Sequence, residues 1–141
     1  LGFHPYFPRD PDTVYFGLHR GEWRHDAECL PLELDEAESP RDWWAGQPVS
    51  SKTVDTAYSH REGPLQIRWP SRGYQVQITP SAELSSTVVY SPAGEDYFCV
   101  EPVSHATDQI NRSPQEVAPH LLAPGQRLLT TMSINASALP Q

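Results

Sequence analysis

The sequence predicts an all-β fold, an antiparallel β-sandwich, and three observations predict it. Apolar residues recur at every second position in several short runs, helical spacing is nearly absent, and prolines are frequent. The chain holds 15 prolines in 141 residues, roughly twice the usual share of ~5%. A proline inside a helix removes a hydrogen bond and clashes with the preceding turn, so these prolines cut the chain into short segments.

The first alternating run is Thr13-Val14-Tyr15-Phe16-Gly17-Leu18, in which Val14, Phe16 and Leu18 are expected to share one face. Residues 33–51 are acidic, polar and proline-containing, and read as a long excursion between strands. Leu65-Gln66-Ile67-Arg68-Trp69 and Tyr74-Gln75-Val76-Gln77-Ile78 then repeat the alternation on either side of Pro70-Ser71-Arg72-Gly73. That is a hairpin pattern. Further strands are expected over residues 86–90, 97–100 and 127–134, the first two joined by the turn-forming Ser91-Pro92-Ala93-Gly94-Glu95-Asp96.

Helical signals are local. Ser113-Pro114-Gln115-Glu116 combines a cap residue, proline at the first helical position and a glutamate closing a capping box, and Pro119 stops it within two turns. Ser39-Pro40-Arg41-Asp42 starts another short turn. No linker or repeat divides residues 1–141, which read as one domain or part of one.

The formal charge is −8, with 18 acidic against 10 basic residues. Such a surface repels phosphate backbones and anionic bilayers, so neither nucleic acid nor membrane is an expected partner. Apolar runs stop at four or five residues, as in Tyr97-Phe98-Cys99-Val100, too short to span a bilayer. No charged-then-apolar leader opens the chain, and a cytoplasmic location is expected. Cys29 and Cys99 make no disulfide framework and lack the close spacing of a zinc motif, and Cys99 reads as a small buried hydrophobe.

Two segments break the pattern of a plain β protein. Leu1-Gly2-Phe3-His4-Pro5-Tyr6-Phe7-Pro8 sets a histidine among aromatics and rigid prolines. Tyr97-Phe98-Cys99-Val100-Glu101-Pro102-Val103-Ser104-His105 carries an apolar strand into a carboxylate, and Pro102 is expected to end the ladder there. A glutamate in such a place is either paired or poised for chemistry. A histidine and a carboxylate are the groups a proton shuttle needs. The structural alternatives are a His4 ring that donates to a backbone carbonyl and a Glu101 that pairs with Arg112 or Arg127. His19, His25, His60 and His120 have no ligand-like spacing and read as surface residues.

Gly2-Phe3-His4-Pro5-Tyr6-Phe7 resembles the His-Pro/Thr-Tyr-Phe motif of the aldose 1-epimerases, the galactose mutarotases. Phe98-Cys99-Val100-Glu101-Pro102-Val103-Ser104-His105, followed by Asp108 and Asn111, is similar to that family's glutamate segment. Leu122-Ala123-Pro124-Gly125-Gln126 looks like the Leu-x-Pro-Gly-Glu turn before its last strand. The three occur in the family's order and span nearly the whole chain.

The resemblance implies a galactose mutarotase-like supersandwich that interconverts the α and β anomers of a free aldohexose. The hemiacetal opens, the C1–C2 bond rotates, and the ring recloses on the other carbonyl face. It further implies Glu101 as general base and His4 as general acid, on opposite sides of the hemiacetal, with no metal or organic cofactor. Val54-Asp55-Thr56-Ala57-Tyr58 is similar to a segment whose aspartate grips sugar hydroxyls, which makes Asp55 a substrate-binding candidate, although an aspartate in a polar stretch also serves as a turn or cap residue. Tyr6, His105 and Trp69 are candidates to line the cleft.

By the same resemblance the chain corresponds to the C-terminal half of the family's fold. The other half supplies further strands, an arginine and another histidine that contact the sugar. A half sandwich exposes strand edges and apolar surface, so self-association or capture of a complementary half is expected. Two other readings compete: a carbohydrate-binding module that keeps the fold without the reaction, and an interaction domain that adds its strand edges to a partner sheet.

Overall fold

The computed structural model describes residues 1–36, 43–113, 115 and 121–140. Their strands, in chain order, are β1 Tyr6–Pro8, β2 Val14–Phe16, β3 His19–His25, β4 Pro31–Asp35, β5 Gln47–Pro48, β6 Val54–Arg61, β7 Leu65–Trp69, β8 Tyr74–Pro80, β9 Ser86–Ser91, β10 Tyr97–Val103 and β11 Met132–Ala138. They form a six-stranded sheet in the order β1-β10-β9-β6-β3-β4 and a five-stranded sheet in the order β11-β8-β7-β2-β5. Every strand pairing is antiparallel. The sandwich expected from the alternation is present.

The core lies between the two sheets. Phe7, Tyr58, Val89, Phe98 and Val100 come from the larger sheet, and Tyr15, Leu65, Ile67, Trp69, Val76 and Ile78 from the smaller. The Phe7 and Trp69 rings meet across the gap with centroids 6.3 Å apart. Period two explains this economically: Leu65, Ile67 and Trp69 point inward while Gln66 and Arg68 alternate outward. β7 and β8 pair in register from Leu65↔Ile78 to Trp69↔Tyr74. Their connection closes at Gly73, whose positive φ of 69° suits a residue without Cβ.

In β2, Val14 and Phe16 share one face, with Phe16 beneath the Arg68 guanidinium, and Tyr15 on the other face enters the core against Trp43 at 5.2 Å. Both faces of this run are apolar, so alternation alone could not say which is buried. Several expectations are corrected. The 33–51 excursion contains ordered pairing, because β4 runs to Asp35 against β3 and β5 pairs with β2. The last strand starts at Met132, not at residue 127.

Pro102 does not end β10, which continues to Val103 with Pro102 opposite Thr87. It lies beyond the end of short β1, where the strand approaches an edge, and its carbonyl accepts the Phe3 N–H at 3.0 Å. Trp69 is core rather than cleft lining, its indole N–H given to the Pro8 carbonyl at 2.9 Å. His19 is fully buried beside Tyr58 rather than on the surface. His25 and His60 are exposed. The turn expected at residues 39–42, His120, and nearly all of the short helix expected after Ser113 fall outside the described residues. Among the described residues no helix is long and apolar enough to cross a membrane.

Candidate functional site

The candidate site residues His4, Glu101 and Asp55 gather on the outward face of the larger sheet. In β10, Phe98 and Val100 are committed to the core, so period two turns Cys99 and Glu101 to the opposite face. Directly paired residues on neighbouring antiparallel strands share a face. Tyr6 is opposite Cys99, Cys99 opposite Tyr90, and Tyr90 opposite Asp55, which makes one row across four strands. The next row holds Glu101, Val88 and Ala57.

His4 and Glu101 meet at one end of these rows, His4 Nε2 lying 3.4 Å from Glu101 Oε1. The imidazole is 55% exposed and the carboxylate only 13%, so a solute reaches the pair from the histidine side. Tyr6 stacks nearly parallel on the His4 ring, with centroids 5.0 Å apart and planes 13° apart, and so restricts its rotation. Of the two structural alternatives for Glu101, neither holds, because its ionic partner is His4. Arg112 instead lies over the Trp23 ring at 4.0 Å and donates to the Pro31 carbonyl.

Burial raises the Glu101 carboxyl above the ordinary carboxylate range. The nearby His4 charge pulls it down and Asp55 pushes it up again. Cys99 is fully buried, and its thiol is raised to about 11, first by desolvation and then by the neighbouring Glu101 charge. Asp55 is neither turn nor cap: it lies within β6, exposed, and hydrogen-bonds the Cys29 thiol of the β3–β4 connection.

His105 stands apart from the pair. It follows β10 and lines a cavity of about 140 Å³ with Trp23, Ser59, Ser86 and Gln109. An open groove of about 550 Å³ between β3 and β4 is lined by Glu22, Trp23, His25, Leu32 and Thr56. Neither includes His4 or Glu101. Asp108 and Asn111 shape the turn after β10, where the Asn111 amide donates to the Asp108 carboxylate and Asp108 takes a left-handed φ of 55°.

Sequence reasoning read Cys99 as a small buried hydrophobe, which it is, but not as a neighbour of Glu101, and it passed over Tyr90 and Trp23. The signal for Cys99 was available, since a residue two positions before Glu101 on a strand must share its face. Tyr90 and Trp23 depend on strand pairings that only the folded chain reveals.

The family model for aldose 1-epimerase matches residues 1–135. The uncharacterised protein YphB of Escherichia coli (strain K12) is 33% identical over 156 aligned positions, which take in 98% of this chain and 50% of that protein. A solved structure from Escherichia coli K12, provisionally described as an aldose 1-epimerase, superposes with a TM-score of 0.80 at 26% identity, covering 98% of this chain and 50% of that one. A galactose mutarotase-like protein from Clostridium acetobutylicum gives a TM-score of 0.74 at 16% identity, covering 98% and 47%, a likeness of fold. The chain thus spans about half the length of the relatives it matches. It belongs to the aldose 1-epimerase family.

Proposed function

We propose that this chain carries the acid and base of an aldose 1-epimerase, with a free aldohexose as substrate. The observation that supports the reading is the His4–Glu101 pair, brought together at 3.4 Å from the segment before β1 and from β10 on an accessible sheet face. Glu101 takes the proton of the anomeric hydroxyl while His4 gives one to the ring oxygen, and the ring opens to the aldehyde. Rotation about C1–C2 and the reverse proton transfers close the other anomer.

The two groups stand side by side, His4 Nε2 3.4 Å from Glu101 Oε1. The hemiacetal therefore presents its two oxygens, both bonded to C1, edge-on to the pair. A partly desolvated carboxyl with a raised pKa is a stronger base than an exposed one, which suits abstraction from a weakly acidic hydroxyl. Asp55, two strands away from β10, accepts hydrogen bonds from hydroxyls farther round the ring.

Polarimetry of freshly dissolved α-D-glucose and α-D-galactose tests this directly. Acceleration of mutarotation by the chain, reduced ~100-fold or more in both His4→Asn and Glu101→Gln, is the expected result. Acceleration that survives Glu101→Gln removes the carboxylate from the mechanism. Saturable sugar binding without acceleration would favour the carbohydrate-binding reading.

A further inference from the structure

Cys99 is the one member of the site cluster that the proposed reaction does not use. The ligating atoms of His4, Cys99 and Glu101 all lie within 4.8 Å of one another. Imidazole, thiolate and carboxylate are the side chains that bind zinc, at about 2.0–2.3 Å. Two such atoms on a tetrahedral ion stand roughly 3.4–3.6 Å apart by that geometry. The His4 Nε2–Glu101 Oε1 separation, 3.4 Å, already meets this edge length. The sulfur must close by about 1.2 Å at most, a modest side-chain adjustment.

Charge and access agree with the geometry. A thiolate and a carboxylate balance a divalent ion, and neutral imidazole completes an uncharged set, which is what a half-buried site requires. Cys99 forms the floor and the exposed His4 ring the rim, so an ion enters from solvent and keeps one position open for water. The soft sulfur selects zinc over magnesium or calcium, which prefer oxygen-only shells.

We infer that His4, Cys99 and Glu101 form an inhibitory zinc site: one Zn²⁺ takes the His4 nitrogen, the Cys99 sulfur and a Glu101 oxygen, and the thiol proton passes to solvent. Inhibition follows because the ion occupies the lone pair that would hold His4's acidic proton and draws electron density from the Glu101 carboxylate that would act as base. The inhibitory consequence rests on the epimerase reading; the metal site does not.

The test uses the whole chain, with Co²⁺ as the spectroscopic probe and Zn²⁺ by calorimetry. One equivalent of Co²⁺ is expected to give thiolate-to-cobalt charge-transfer absorption that Zn²⁺ displaces. Cys99→Ala, and Cys99→Ser as the more conservative replacement of a buried side chain, lose that band and bind zinc at least ~100-fold more weakly, since loss of even a supporting contact to a metal ligand costs 10- to 100-fold. Cys29→Ala, which removes the other free thiol, keeps the cobalt band and the parent's zinc affinity. A band that survives in the Cys99 variants, or zinc affinity unchanged in them, overturns the site. Zinc bound at one equivalent with mutarotation undiminished overturns the inhibition. If no form of the chain accelerates mutarotation, the epimerase reading fails while the cobalt spectrum still decides the metal site.

Discussion

Tyr6 lies flat against the His4 imidazole, 5.0 Å between centroids, and its own ring is mostly exposed. The contact fixes the plane of the ring that the proposed mechanism uses as acid. Tyr6→Phe keeps the stack and is expected to retain most activity. Tyr6→Ala frees the ring, and kcat is expected to fall about 10- to 100-fold, because misplacement of a catalytic group by 1 Å costs on that order. Steady-state polarimetry with both variants checks the pair of outcomes.

The base sets the acid side of the pH profile. Glu101 must be ionised to accept a proton, and its pKa is raised, first by burial, so activity should fall away at a pH above the ordinary glutamate value of 4.5. Asp55→Asn removes a charge that raises it, which moves this limb to lower pH. A limb unchanged by Asp55→Asn would show that the two carboxylates do not sense each other.

Asp55 is also expected to bind sugar hydroxyls, and a charged hydrogen bond of about 1.5–3 kcal/mol corresponds to roughly 10- to 100-fold in affinity. Asp55→Ala should raise KM by that factor with a smaller change in kcat. An unchanged KM places the sugar elsewhere on the sheet.

His19 couples stability to acidity. Buried against Tyr58, with its Nε2 3.0 Å from Thr87 Oγ1, it is held neutral with a pKa lowered to about 3, chiefly by desolvation and then by the Arg61 charge. The unfolded chain binds that proton near 6.5, so stability is full above pH 6.5 and is lost as pH falls toward 3. The loss approaches about 1.4 kcal/mol per pH unit for one proton. Thermal melts at pH 7 and pH 5 should show His19→Gln less stable at pH 7 yet less sensitive to acid than the parent.

β11 is the outermost strand of the smaller sheet, and exposed Ile134 lies within it, with Leu121, Leu122 and Leu129 exposed just before. An open edge of this kind pairs with other chains. Size-exclusion chromatography is expected to show self-association, with Ile134→Lys shifting the chain toward monomer. A monomeric parent would remove the expectation.

The parts of this molecule legible in advance were those written in local pattern. Leu65 to Ile78 announced its hairpin because alternation and turn chemistry agreed, and the motifs around His4 and Glu101 marked the family. β3 and β6 went unread because His19, Arg20, Ser59 and His60 dilute the apolar period, and their stability comes from neighbours on both sides rather than from propensity. Tyr15 and Phe16 offered two apolar faces, and only Trp43, docking from outside the strands, decided between them. The site itself was visible as residue types but not as a row, since the Cys99–Tyr90–Asp55 alignment depends on the registers of three strands.

His4 precedes a three-residue strand, β1, which among the described strands pairs with β10 alone. Short edge strands open locally at a fraction of the free energy needed to unfold the core. The acid is thereby mounted next to a strand paired on one side, whereas the base sits on a strand paired on both sides. Warming would then silence catalysis before the molecule melts, with amide exchange at Tyr6 to Pro8 quickening in step with the loss of turnover while the β9–β6 pairing stays protected.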